Sequence, residues 1–292
     1  MRTQHNQPRL MKTPPFLLCL VLGNLVASAA ETLPATADAK LGMGGDIPPA
    51  ATVLSNIFAR IEIAEKSGVR GQYTLRRTSS ELQVNEHRHV EKVKRSVYEV
   101  FPVASHNHSR LIERDGKPID GDERIKEEKK EAESRKKSPL KPVRSAEIFL
   151  KSRAALEFFD FAVAGREILN GRPALIVTFI PKLKQPNTSH EAAFALRHLA
   201  GRLWIDERDW QVSAGEFSLM GNVEMALGML IQATRFTAQF ETRPLDSGYW
   251  VPVHFRAEVD FRLLYKWNRI IIEESWDNYK RVPSGTAPVP VL

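Results

Sequence analysis

The chain has one cysteine in 292 residues, Cys19. It lies inside "FLLCLVLGNLVA", the only marked apolar run, and Leu18 precedes it where an acylation site wants a small residue. That run follows Arg2, Arg9 and Lys12 and leads into "ASAAE". We read residues 1–30 as a secretory signal peptide cut after Ala29 or Ala30, which places the protein outside the cytoplasm, in the periplasm. The run is about 12–15 residues, short of the ~20 that a membrane-spanning helix needs. An exported chain shorn of Cys19 has no disulfide, no zinc–thiolate site and no thiol nucleophile. It must hold together through its core, and about 260 residues suffice for one large domain.

Motifs for common chemistries are also missing. There is no Gly-x-Ser-x-Gly elbow, no Gly-x-Gly-x-x-Gly and no phosphate loop. "HEAAF" at His190–Phe194 opens like a zinc-protease helix, but position 194 is phenylalanine and His198 is too far along to share a metal with His190. His87/His89 and His106/His108 form two His-x-His pairs at opposite ends of one strand, some 50 Å apart if it runs straight, and read as exposed loop residues. Glu258 and Asp260 read as solvated carboxylates on the wet face of a strand. We therefore expect no enzyme, no metal and no cofactor. The formal charge of +7 comes from cations and acids mixed along the chain. With an export signal present, that favours a solvated surface or contact with anionic lipid headgroups over nucleic acid.

What is present is alternation. In "VPVHFRAEVDFRLLYKW", Val251, Val253, Phe255, Ala257, Val259, Phe261, Leu263, Tyr265 and Trp267 are apolar or aromatic, and Leu264 alone interrupts the polar row between them. This is a long strand with one buried and one wet face. "TRFTAQFETR" sets Phe236, Ala238 and Phe240 on one side. "FAVAGREILNGRPALIVTFIPK" folds at Asn170-Gly171 and "SRLIERDGKPI" at Asp115-Gly116, both two-residue hairpin signals. "GRLWIDERDWQVSAGEF" is a further pair hinged at Glu207–Asp209, and "NRIIIEESWDNYKRV" one more strand. "VRGQYTLRRTS" puts Val69, Tyr73 and Leu75 on one side, and "RHVEKVKRSVYEVFPV" follows as another.

Two helices are expected. Pro48-Pro49 opens one whose stripe is Leu54, Ile57, Phe58, Ile61 and Ala64, ending at Gly68. "SAEIFLKSRAALEFF", capped by Ser145, is the second, with Phe159 in its stripe. Between the strands, residues 120–144 are almost wholly charged. Glu131 with Arg135 and Glu133 with Lys137 sit at helical spacing without an apolar stripe, so a solvated helix or loose excursion is expected. Residues 31–47 read as a mobile leader, 48–283 as one α+β domain of about nine to eleven antiparallel strands, and 284–292 as a loose tail.

The front helix, the meander, "GRLWIDERDWQVSAGEF" and the closing run "YWVPVHFRAEVDFRLLYKWNRIIIEESWDNYKRV" resemble the LolA/LolB-like outer-membrane lipoprotein-sorting superfamily. "YEVFPV" through "SRLIERDGKPI" is more similar to a group of secreted bacterial proteins with that fold. The resemblance spans residues 50–283. It implies a highly curved, unclosed half-barrel of antiparallel strands wrapped over helices, and proteins that carry lipoproteins, receive them, or sense lipids. The partner it implies is the acyl chain of a lipid or lipoprotein, held between sheet and helices. This chain lacks the acylated cysteine of the membrane-anchored branch and has the 120–144 insertion. No family site residue maps onto it individually.

From alternation, the expected lining is Leu54, Ile57, Phe58, Ile61, Phe236, Phe240, Val253, Phe255, Val259, Phe261 and Leu263. The functional expectation is a periplasmic carrier or sensor of an apolar ligand. Alternation also suits a non-enzymatic envelope protein that has a filled core and docks a partner protein, and a membrane β-barrel, against which the two helices and the charged excursion count.

Overall fold

The computed structural model describes residues 46–66, 73–103, 106–127, 129, 153–184, 197–225, 231–263 and 266–282. The signal peptide, the leader up to residue 45, Val69, Gly68, the charged pairs at 131–137, Ser145, His190–Phe194 and the tail lie outside them.

Helix α1 (Ala50–Lys66) begins where expected. The carbonyl of Pro49 accepts the N–H groups of Thr52 (3.0 Å) and Val53 (3.2 Å), which closes the first turn. Its stripe of Val53, Leu54, Ile57 and Ile61 is buried, and Phe58 packs at the margin of the same core. The strands are β1 (Tyr73–Val84), β2 (Val90–Val103), β3 (His106–Arg114), β4 (Lys117–Pro118), β5 (Phe159–Leu169), β6 (Arg172–Pro181), β7 (Leu199–Asp206), β8 (Gln211–Leu219), β9 (Val223–Met225), β10 (Ile231–Pro244), β11 (Trp250–Leu263) and β12 (Lys266–Arg281). Between β4 and β5 lie helical residues 121–127 (α2) and Arg153–Phe158 (α3).

All twelve strands belong to one antiparallel sheet, in the order β4-β3-β2-β1-β12-β11-β10-β8-β7-β6-β5, with β9 beside β10. The sheet is open, with β4 and β5 at its two ends, so it is not a closed barrel. The chain thus leaves one edge after β4 and re-enters at the other with β5. Asp115 and Gly116 (φ 50° and 80°) and Asn170 and Gly171 (φ 51° and 77°) adopt the left-handed angles of two-residue hairpin turns. Eleven neighbouring strands at ~4.8 Å make a sheet about 50 Å wide. Helix α1, at 1.5 Å per residue, is about 25 Å long. It packs on β5 and β8, and Arg60 Nε donates to the carbonyl of Asp209 at 2.9 Å, tying it to the β7–β8 turn.

Five expectations need correction. The run 251–267 is not one strand: Leu263 pairs with Lys266, and Trp267 lies on β12 opposite Arg262. A β-bulge leaves Val253 as the extra residue, because Glu241 pairs with His254 and Thr242 with Pro252. Alternation flips there, so Val251 faces away from Phe255, and Val253 is half-buried and outside the main core. The Tyr279 hydroxyl donates to the carbonyl of Pro252 beside the bulge at 2.5 Å, and burial drives its ionisation well above the ordinary range. Asp260 is buried, not solvated, and Arg269 grips it with bonds of 2.6 and 2.8 Å. Phe159 starts β5 and does not belong to a helix. His106 and His108 lie on β3, with the His108 ring 4.9 Å from that of Phe101, whereas His87 and His89 sit at the β1–β2 turn.

Candidate functional site

The inner face of the sheet is defined by residues that share the core with α1. Register carries one row across it: Ser96, Ser79, Glu274, Phe255, Phe240, Gly215, Leu203, Val177, Val163. The next row is Lys94, Glu81, Ile272, Ala257, Ala238, Phe217, Gly201, Phe179, Phe161. Both rows are apolar from β5 to β11, mixed on β12, and polar on β1 and β2. The inner face is therefore an apolar floor with a polar strip along one side.

The floor is aromatic. Ring centroids run Phe159–Phe179 at 5.2 Å, Phe179–Phe217 at 5.2 Å and Phe217–Phe240 at 6.1 Å, a continuous path from β5 to β10. Two glycines make room for it. A Cβ on Gly215 would sit 2.3 Å from the Phe240 ring and 2.9 Å from Leu203, and one on Gly201 would sit 2.1 Å from the carbonyl oxygen of Glu216. These contacts are closer than real Cβ atoms show, so hydrogen in place of a side chain is what lets the rings lie across the strands.

Of the residues expected to line a site, Leu54, Ile57, Ile61, Phe236, Phe240, Phe255, Val259 and Phe261 meet in one buried cluster, with Phe58 packed on it. Val253 does not join it. Leu263 holds its place on β11 opposite Ile231, and its side chain lies outside the described set. The sequence reading named no lining residue on β5–β8, although Phe159, Phe179, Leu203 and Phe217 belong to the same cluster. Alternation in "FAVAGREIL" and "RPALIVTFIP" carried that signal. It also passed over the polar strip, where "YTLRRTSSELQV" places Arg77, Ser79, Glu81 and Gln83 on the inner side.

The outer face carries a separate ionic cluster at the β7–β8 turn. Asp206, 1% exposed, accepts two bonds from Arg172 and the N–H groups of Arg208 (3.0 Å) and Asp209 (2.8 Å). Burial alone would push its carboxyl up; the Arg172 guanidinium and the two turn N–H groups outweigh this and hold it below the ordinary carboxylate range. Arg172 also bonds Asp209, which accepts the Trp250 indole N–H at 2.9 Å, and Arg166 forks onto Glu207 with two bonds of 2.8 Å. Each of these charged groups has a partner within the cluster, which fixes the turn. Among the described residues no group of His, Cys, Asp or Glu is arranged to hold a metal, and no described helix is long and apolar enough to cross a membrane.

No family model matches the chain, and no curated protein does. Solved structures do. A DUF1329 family protein from Desulfovibrio piger is 12% identical, with a TM-score of 0.34 over 82% of this chain and 95% of that one. A putative outer membrane lipoprotein-sorting protein domain from Vibrio parahaemolyticus is 11% identical, with a TM-score of 0.31 over 77% and 93%. A LolA superfamily protein from Nitrosomonas europaea is 8% identical, with a TM-score of 0.28 over 82% and 96%. At these values the functional reading rests on this chain's own geometry.

Proposed function

We propose that the protein is a non-enzymatic carrier or sensor of the periplasm that holds the acyl chain of a lipid or lipoprotein against the inner face of its sheet. One observation carries the reading: a sheet about 50 Å wide presents an apolar floor with a run of aromatic rings from β5 to β11, bordered by a polar strip on β1 and β2. A surface graded in this way matches an amphiphile. Each CH₂ withdrawn from water on such a floor contributes about 0.8 kcal/mol, so a chain of a dozen carbons supplies ample driving force.

The second reading is an envelope interaction protein with the same fold and a filled core. It is supported by the near-complete burial of Phe236, Phe240, Phe255, Val259 and Phe261, which needs no guest to explain it. Lipid extraction separates the two. Protein purified from its native host is expected to release lipid into organic solvent, detected by mass spectrometry, and the stripped protein to bind a fluorescent fatty-acid probe. A clean extract together with no probe binding would leave the filled-core protein as the correct description.

A further inference from the structure

We infer that Arg77 anchors an anionic headgroup, so that the ligand is an acyl chain ending in a carboxylate or a phosphate. This rests on the apolar-ligand reading above and narrows it. Arg77 lies on the inner face, in the cross-strand row Tyr98–Arg77–Trp276. Trp276 packs against the main core, so Arg77 sits where the apolar floor gives way to the polar strip.

Its environment combines an aromatic ring with a weak ion pair. The side chain is 21% exposed, and its Cζ lies 4.5 Å over the Tyr98 ring. Its Nε is buried without a hydrogen-bond partner. Among the described residues its ion-pair partner is Glu274, with 4.0 Å between charged atoms, too far for a hydrogen bond. Other half-buried arginines are gripped: Arg166 by Glu207, Arg172 by Asp206 and Arg269 by Asp260. Lys94, on the same strip, is taken by Glu81 at 3.3 Å.

A guanidinium whose Nε is buried without a partner, and whose terminal nitrogens no carboxylate bonds closely, gains from a group that completes it. The group that fits a planar fork of N–H donors is an oxyanion with paired acceptors, a carboxylate or a phosphate. Tyr98 on one side favours the cation. Trp276 on the other side leads onto the floor that would take the chain. Attraction for a negative head and exclusion of water from its tail thus meet at one residue.

Titration calorimetry with oleate, oleyl alcohol and inorganic phosphate tests this on delipidated full-length protein. Oleate is expected to bind at least tenfold more tightly than the alcohol, a charged hydrogen bond being worth that much or more. Phosphate alone is expected to bind too weakly to displace oleate. Arg77→Gln should erase the preference for oleate and leave the alcohol's affinity in place, and Arg77→Lys should retain part of it. Because the Arg77 side chain makes no hydrogen bond among the described residues, Arg77→Gln should not lower the melting temperature. Equal binding of oleate and alcohol by the unaltered protein would overturn the anchor and spare the carrier. An unchanged preference in Arg77→Gln, displacement by phosphate alone, or a lowered melting temperature would each overturn the anchor as well. If neither lipid binds, the carrier reading falls and takes the anchor with it.

Discussion

Gly215 shows how a single absent atom shapes the interior. The Phe240 ring lies against its Cα, where a methyl group would come within 2.3 Å. A buried ring packed beside Phe217 has little room to withdraw. Gly215→Ala is therefore expected to cost about 1–3 kcal/mol, the range for overpacked cores, as a lower urea midpoint with an unchanged slope. Asp206 is the other residue on which much depends. Its folded pKa lies below the unfolded value of roughly 3.9. The stabilisation it provides is complete above that value and is lost as the pH falls through the lower folded one. Asp206→Asn should cost about 3 kcal/mol at neutral pH, the lower end for a broken buried pair because Arg172 keeps some water. It should also flatten the acid limb of a stability–pH curve measured by urea unfolding.

Among the elements, β11 carries the clearest contrast between faces. Phe255 and Phe261 are 2% and 8% exposed, while Arg256 is 39% exposed and bonded to Glu258. Phe255→Asp or Phe261→Asp buries an unpaired carboxylate at a cost of several kcal/mol, a large share of a typical 5–15 kcal/mol. Arg256→Ser should change stability by no more than about 0.5 kcal/mol. Circular dichroism melts of the three variants separate these outcomes, and equal tolerance would mean the faces are reversed.

The same strand shows what could be read in the sequence. Period-two alternation located β10, β11 and the buried side of each, because one face packs and the other is solvated. Asn170-Gly171 and Asp115-Gly116 located two turns, because their backbone angles are rare elsewhere. What escaped was non-local. The bulge at Val253 inserts a residue without altering the pattern, and only pairing with β10 reveals the flip. Asp260 looked solvated because its partner, Arg269, comes from the next strand. The polar inner strip was hidden because β1 neighbours β12, a pairing no local pattern announces.

Taken whole, the molecule is a body and an arm sewn together by that pairing. In the ladder, strands β2, β3 and β4 join the rest of the sheet through β1, and β1 through β12, with Tyr73 also stacked on Tyr249 and bonded to Ser247 at 2.8 Å. A chain ending at residue 265 should keep a protease-resistant body from β5 to β11 and lose residues 73–118 to brief trypsin treatment, read by mass spectrometry. Digestion that spares the arm would show that it stands alone.

The β1–β12 pairing also sets a schedule. Thr74 and Lys280, which it brings together, are 206 residues apart in the chain. A chain that emerges N-terminus first presents β1 and its hairpin 206 residues before the β12 segment that pairs with it, whereas a hairpin forms in microseconds. During that interval Val90 and Val93, exposed even in the finished sheet, and the whole rim of β1 are open to pairing with the wrong chain. The last strand made is the one that ends this vulnerability, and a cell producing this protein must shelter a sticky, half-built edge until it arrives.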